Sequence, residues 1–294
     1  MTGRVLVTGS QGFTGRYLVE ELERSGFEVF GLGVQAQGGQ NQVSVDLLDK
    51  PALDSAVQEI RPAYVVHLAA IAHVAHGDVD AIYKTNLLGS RNLLSALAAL
   101  ETRPHKVLLA SSANVYGNQQ GGLLNEQTPP APANDYAVSK LAMEYMARTF
   151  LPELPIVLAR PFNYTGVGQS EAFVLPKIVS HFASRKPVIE LGNMDVSRDF
   201  SDVRAVVSAY SQLLTSAPAG DTINIASGQS TSLQQVVDMC ADITGHQIEV
   251  RVNPAFMRRN EVRDLCGDAS RLRALVPAWR PVPLEETLRW MVEA

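Results

Sequence analysis

Tyr136-Ala137-Val138-Ser139-Lys140 opens a helix candidate, and its i,i+4 spacing sets the phenol and the amine on one face. A phenol with an ordinary pKa of about 10 is a poor acid–base group at neutral pH. A neighbouring ammonium favours the phenolate and lowers that pKa towards a useful range. Ser112 lies 24 residues upstream, at the close of a strand candidate, in Ala110-Ser111-Ser112-Ala113-Asn114-Val115-Tyr116-Gly117. Ligands of open α/β sheets gather at such carboxyl ends. Taken alone, the Tyr/Lys pair also reads as an ordinary solvated helix face. A second constellation, Gly9-Ser10-Gln11-Gly12-Phe13-Thr14-Gly15, joins the first strand candidate to the first helix candidate. Glycines permit a tight turn and close backbone approach to a pyrophosphate at a helix N-terminus. No Lys-Ser/Thr pair follows, which argues against a nucleoside triphosphate loop. The bland alternative is a turn that serves packing only.

The cofactor is read as NADP or NAD. An acid about 20 residues on normally binds the adenosine ribose, but here the second strand closes on Leu32-Gly33-Val34-Gln35. This position therefore does not separate the two dinucleotides. Asp46, in Asp46-Leu47-Leu48-Asp49, is placed beside the adenine, with a helix N-cap before Pro51 as the alternative.

These residues need elements to hold them. Arg4–Thr8, Glu28–Leu32, Val43–Val45, Tyr64–Leu68, Lys106–Ala110 and Ile156–Ala159 are short apolar runs, as strands covered on both faces should be. Helix candidates Phe13–Ser25, Lys50–Ile60, Asp80–Leu100 and Asp135–Phe150 lie between them. The fold class is α/β, a doubly wound parallel sheet of Rossmann type. After Arg160 the rhythm changes. Pro161–Gly168 is rich in Gly, Pro and Asn, helices are expected at Ala172–Ser184 and Val203–Leu214, and Thr222–Ala226 can rejoin the sheet. Residues 1–161, with 201–227 returning, form the expected dinucleotide-binding domain. Residues 162–200 and 228–294 form a smaller, discontinuous α/β lobe for substrate.

The chain has 294 residues, 46% hydrophobic and 19% charged, enough for a large core. A net charge of -5 argues against nucleic-acid partners. No apolar run approaches the ~20 residues of a membrane span, and no signal-peptide pattern is seen, so a cytoplasmic location is expected. Cys240 and Cys266 stand 26 residues apart, neither a disulfide framework nor a zinc spacing, and read as core. His73 and His76 lack an acidic partner at a convincing spacing and are read as structural, with no metal expected.

The glycine turn, Ser112 and the Tyr136/Lys140 pair, in that order, resemble the extended short-chain dehydrogenase/reductase family over nearly the whole chain. His67-Leu68-Ala69-Ala70 and Asn86, within Lys84-Thr85-Asn86-Leu87, add to the likeness. The resemblance implies that Tyr136 passes a proton while the nicotinamide passes hydride. Lys140 would also hold the nicotinamide ribose, and Ser112 would bond the reacting oxygen. It implies a dinucleotide site made of Gly9, Gly12, Phe13, Gly15, Asp46, Leu47, Leu68, Ala69, Ala70, Asn86, Tyr136 and Lys140. Asn86 reads equally as a helix-stabilising polar residue.

Arg160-Pro161-Phe162-Asn163, Gly166-Val167-Gly168-Gln169, Val196-Ser197-Arg198-Asp199-Phe200 and Met257-Arg258-Arg259-Asn260-Glu261-Val262 look like nucleotide-sugar modifiers of that family. They are most similar to GDP-mannose 4,6-dehydratases and GDP-4-keto-6-deoxy-D-mannose reductases. That likeness gives Asn163 and Lys177 to the diphosphate or sugar, Arg198 to the nucleotide, and Arg258 with Glu261 to its ribose. Local ion pairs, Arg198 with Asp199 and Arg258 with Glu261, are the alternative. Dehydratases carry a glutamate two residues after the catalytic hydroxyl; Asn114 stands there and cannot exchange a proton. The expected activity is therefore reduction of a GDP-linked 4-keto-6-deoxy hexose, giving GDP-D-rhamnose or its C4 epimer. A nucleotide-sugar 4-epimerase, a GDP-mannose 4,6-dehydratase and a non-catalytic dinucleotide sensor are the alternatives. The likeness also implies a homodimer through Asp80–Leu100 and Asp135–Phe150; the Leu93–Leu100 stripe either joins that interface or packs on the sheet.

Overall fold

A computed structural model of the chain describes residues 3–34, 41–72, 77–119, 122–256 and 264–294. The early strands are β1 (Arg4–Thr8), β2 (Glu28–Gly33), β3 (Gln42–Ser44), β4 (Tyr64–His67), β5 (Lys106–Ala110) and β6 (Ile156–Pro161). Next come β7 (Asn163–Thr165), β8 (Val188–Leu191), β9 (Ser197–Asp202) and β10 (Thr222–Ile225). The last are β11 (Ser230–Ser232), β12 (Glu249–Val252) and β13 (Asp264–Leu265).

The main sheet has seven strands in the order β10-β6-β5-β4-β1-β2-β3, and every pairing in it is parallel. Its inner strands are mostly apolar because each feeds two cores. Val5 and Val7 of β1 face one side with Val66, Leu108, Val157 and Ile223. Leu6, between them, faces the other side with Val65, Val107, Leu109 and Leu158. Helices α1 (Phe13–Arg24) and α7 (Val203–Ser216) cover the first face. Helices α2 (Lys50–Ile60), α4 (Ser90–Ala98) and α5 (Asp135–Arg148) cover the second. Burying each such Val or Leu contributes roughly 1.5–3 kcal/mol.

Strand order reverses at β1, whose neighbours are β2 and β4, so a crevice opens at the carboxyl ends of β1 and β4. The helix expected over Asp80–Leu100 is interrupted. It runs as α3 (Val79–Tyr83), a π-helical turn Lys84–Gly89, and then α4. The wide turn admits the buried Asn86 side chain, which bonds Ile71 beyond β4. The Leu93–Leu100 stripe packs on the sheet, with Leu93, Leu94, Leu97 and Leu100 in its core.

Beyond Arg160 a second sheet joins β11, β9 and β13, with β7 also on β9, and β8 pairs with β12. Helices α6 (Val174–Ala183), α8 (Leu233–Thr244) and α10 (Leu284–Glu293) pack against these strands around Ile178, Phe182, Ile189, Val236 and Leu288. The strands escaped the sequence reading because they are short and polar; β9 reads Ser-Arg-Asp-Phe-Ser-Asp. β10 does rejoin the main sheet, beside β6. Leu272 of α9 (Ser270–Leu275), with Val276 and Trp279, departs from the expected lobe and enters the main core. The Trp279 indole N–H donates to the Ala205 carbonyl at 2.8 Å. Both cysteines are buried and unpaired, and burial pushes each thiol up to about 12. No helix among the described residues is long and apolar enough to cross a membrane.

Candidate active site

The glycine turn is built by close approach. Gly9 has φ +72°, and a Cβ there would stand 2.9 Å from the Ala69 nitrogen. A Cβ on Gly15 would overlap the Gly9 carbonyl oxygen and lie 2.6 Å from that of Ser10. Gly12 is the N-cap of α1 and has no side chain to cap it. The first-turn amides thus face the crevice at the positive end of the helix, where an anion is favoured. This cradle fits the diphosphate of a dinucleotide.

One cavity of about 400 Å³ runs from the turn into the substrate side, lined by Gly9, Gly12, Phe13, Gly15, Leu68 and Ala70. Ser112, Asn114, Tyr136, Lys140 and Asn163 line the same space. The sequence-predicted catalytic group therefore meets the glycine turn. Ser112 follows the end of β5 by two residues and caps the turn Ala113–Tyr116, while Asn134 caps α5 and sets Tyr136 and Lys140 in its first two turns. The electrostatics differ from the sequence expectation. Burial raises the Tyr136 pKa, outweighing the hydrogen bond from Ser112 that lowers it; the nearby Tyr164 raises it further. Burial also lowers Lys140 to about 8, against the pull of Glu144. The ammonium expected to lower the phenol donates instead to the Ala110 carbonyl at 2.7 Å.

A buried relay supports the site from below. The Ser90 hydroxyl donates to the Asn86 carbonyl at 2.7 Å, so its oxygen accepts from His67 Nε2–H at 2.8 Å. His67 Nδ1 then accepts from the Thr8 hydroxyl at 2.6 Å, whose oxygen accepts from Ala69 N–H at 3.2 Å. With His67 neutral each bond has one direction, and the Thr8 bond accepted by Nδ1 requires that neutral form. Burial, with Lys140 adding, lowers its pKa from 6.5 to about 3. The unfolded chain takes up this proton near pH 6.5 and the folded one near 3. The stability His67 contributes is therefore complete above pH 6.5 and is lost as pH falls through that window. NMR of the imidazole should show the Nε2–H form unchanged down to pH ~4.5; a midpoint near the unperturbed ~6.5 would contradict the relay.

Asn86 belongs to this support. Its amide bonds both backbone groups of Ile71, and its Nδ2–H also reaches Ser139 Oγ at 3.0 Å. Ser139 in turn donates to the Tyr136 carbonyl at 2.7 Å. Asn86 therefore ties α5 to the 68–72 turn and does not itself line the cavity. Ala69 holds its place through its backbone, and Leu47 is buried against Gly89. Asp46 is exposed and accepts from Leu48 N–H at 2.9 Å, whereas the N-cap before Pro51 is Asp49.

One substrate expectation, Lys177, and one alternative, the Arg198–Asp199 ion pair, need correction. Lys177 turns away from the cavity, donates to the Glu190 carbonyl at 2.6 Å and sits 4.2 Å from the Phe256 ring centre. Asp199, offered as an ion-pair partner of Arg198, is fully buried and accepts from Ser227, Gly228 and Gly267. Arg198 donates to the Ser197 carbonyl at 2.8 Å and lies outside the cavity lining. Asn163 lines the cavity, and its buried Nδ2 has no partner among the described residues, as a ligand donor would. His73, His76, Arg258 and Glu261 lie outside the described residues.

Sequence reasoning missed two groups. Glu144, one helical turn beyond Lys140, forms a buried bidentate pair with Arg160 at 2.8 and 2.6 Å and accepts from Ser111 Oγ. Continuing the i,i+4 series past Lys140 would have found it. Tyr164 bonds Thr14 of α1 at 2.8 Å, and Tyr17 donates to the Val167 carbonyl at 2.7 Å. These contacts stitch the start of α1 to the segment that carries Asn163.

A family model of GDP-mannose 4,6-dehydratase matches residues 6–291. GDP-6-deoxy-D-talose 4-dehydrogenase of Aggregatibacter actinomycetemcomitans is 35% identical over 92% of this chain and 90% of its own. GDP-6-deoxy-D-mannose reductase of Pseudomonas aeruginosa is 36% identical over 98% and 96%. A crystal structure from Burkholderia cenocepacia J2315, provisionally named an epimerase, superposes with a TM-score of 0.92 at 51% identity, covering 99% of this chain and 97% of that one. Other solved relatives are complexes with NADPH or NAD. A parallel Rossmann sheet, one cavity holding Ser112, Tyr136 and Lys140, and a match over nearly the full length agree. The chain belongs to the GDP-mannose 4,6-dehydratase family of extended short-chain dehydrogenases/reductases.

Proposed function

We propose that this chain is a cytoplasmic NADPH- or NADH-dependent reductase of a GDP-linked 4-keto-6-deoxy hexose. GDP-4-keto-6-deoxy-D-mannose is its substrate, and GDP-D-rhamnose or the C4 epimer its product. The observation that carries this reading is the content of one cavity. It joins a phosphate-binding turn, the Ser112/Tyr136/Lys140 group, and an amide, Asn114, where elimination chemistry needs an acid. The two curated relatives, a GDP-6-deoxy-hexose dehydrogenase and a reductase, support the same substrate class.

Gly9, Gly12, Phe13 and Gly15 hold the dinucleotide diphosphate against α1, and Lys140 holds the nicotinamide ribose. The bound reduced nicotinamide supplies the hydride. Tyr136 donates its phenolic proton to the C4 oxygen, and burial keeps that proton in place at neutral pH, as a donor requires. Ser112 donates a hydrogen bond to the same oxygen. Asn163 offers its unpartnered Nδ2–H to the sugar or diphosphate. Arg198, Arg258 and Glu261 serve the nucleotide end. Incubation with the GDP-4-keto sugar should consume NADPH or NADH mole for mole. Folded protein that consumes neither refutes the reading.

The epimerase name of the Burkholderia relative favours one second reading. An epimerase would use the same tyrosine and lysine, retain oxidised cofactor through purification and show no net oxidation.

A homodimer is part of the proposal. Val79, Leu88, Val138 and Tyr145 are exposed apolar side chains on the packed α3–π segment and α5, and Tyr145 is 62% exposed. Such a surface suits burial against a second copy. Light scattering should give twice the 31.8 kDa chain mass; a monomer would remove the dimer from the proposal.

A further inference from the structure

We infer that Asn114 is a positioning residue that turns the Ser112 hydroxyl proton towards the reacting oxygen. The inference rests on the reductase reading above for its chemical consequence, and on hydrogen-bond geometry for its substance. Ser112 Oγ accepts from the Asn114 backbone N–H at 3.2 Å and from the Asn114 Nδ2–H at 3.1 Å. A hydroxyl oxygen has two lone pairs and one proton. Both lone pairs are filled, so Ser112 can act only as a donor, through its single O–H. Tyr136 lines the same cavity, and a hydrogen bond with Ser112 acts to lower the phenol's pKa. With a 4-keto sugar in the cavity, the same O–H meets the carbonyl oxygen that Tyr136 protonates. Two donors drawing on Oγ also polarise its O–H and strengthen the bond it gives.

The turn that carries Asn114 is held on several sides. Val115 N–H donates to the Ser112 carbonyl at 3.2 Å, and Gly117 N–H to that of Asn114 at 3.1 Å. Gly117 has φ +63°, and a Cβ there would overlap the Ala131 carbonyl oxygen. Few side chains can replace the asparagine. A carboxylate here accepts where the amide donates, so it draws the Ser112 proton to itself and away from the cavity. The residue that removes elimination chemistry thus also orients the hydroxyl for reduction.

Neutron diffraction on deuterium-exchanged crystals of the whole protein tests the geometry without substrate. Expected are Asn114 Nδ2 deuterons aimed at Ser112 Oγ and the Ser112 deuteron aimed into the cavity. A Ser112 deuteron on Asn114 Oδ1 overturns the inference. Kinetics test the consequence. Asn114→Ala should lower kcat about 5–10-fold with KM nearly unchanged, the scale of one hydrogen bond. Asn114→Asp should lower kcat about 100-fold, the scale of a lost oxyanion donor. In a Ser112→Ala background, Asn114→Ala should add less than about twofold, because Asn114 acts through Ser112. A fully additive loss, or Asn114→Asp at wild-type rate, overturns it. Absence of wild-type turnover would remove the reductase reading, while the deuteron positions still decide this one.

Discussion

Replacing Tyr136 with phenylalanine lowers kcat about 10³-fold and leaves dinucleotide affinity within about twofold. The ring is only 8% exposed and lines the reaction cavity, so phenylalanine fills the same space and loses one oxygen. The glycine turn and the α1 N-terminus, which hold the dinucleotide, are untouched. Neither neighbour replaces the lost proton well. Ser112 is a far weaker acid than a phenol, and the Lys140 ammonium is engaged by the Ala110 carbonyl. Stopped assays of reduced-cofactor consumption give kcat, and quenching of cofactor fluorescence gives affinity. Turnover within tenfold of wild type would show that the proton comes from elsewhere.

Glu144→Ala destabilises the protein by about 3–5 kcal/mol, because it strands the Arg160 guanidinium in the interior. The paired side chains are 5% and 2% exposed, and the contact is 2.6 Å. Arg160 also stacks on Tyr116 at 4.9 Å, which fixes the cation and prevents its escape to water. For a chain of this size the loss amounts to a fall of about 10 °C in Tm. A double change, Glu144→Ala with Arg160→Met, should recover most of it, since an apolar pair carries no desolvation cost. Urea unfolding of the three variants checks both statements. A single variant within 1 kcal/mol of wild type would mean that the guanidinium reaches water.

Why were some parts of this molecule legible beforehand and others not? The parallel sheet was readable because doubly covered strands are apolar over consecutive residues, as Val107–Ala110 is. The glycine turn was readable because few residues besides glycine meet a backbone that closely. Tyr136 and Lys140 shared a helix face and could be paired by spacing alone. Their electrostatics could not, because burial, a long-range fact, raises the phenol where the lysine was expected to lower it, and the Ala110 carbonyl engages that lysine. The polar strands of the second sheet were invisible for a related reason. Asp199 and Asp202 in β9 look like surface charges, yet both are buried and fully occupied by backbone donors, Arg204 and Thr287. Lys177 shows the limit of transferring a role by position. Its residue type suits a diphosphate, but its helix aims it at Glu190.

The place of β10 has a kinetic consequence. β6 is an inner strand only because β10 pairs with it, and β10 ends at Ile225, 64 residues after Pro161. At a synthesis rate of roughly 5–20 residues per second, β6 leaves the ribosome several seconds before its neighbour exists. During that interval the nascent chain carries an unpaired, largely apolar edge, a template for pairing with another chain. Trp279, which closes the same core, follows later still. The dinucleotide half of this enzyme is therefore not a unit that folds first and waits for the rest. Its completion depends on chain made well after β6, and a nascent chain stalled before β10 presents an aggregation hazard to the cell.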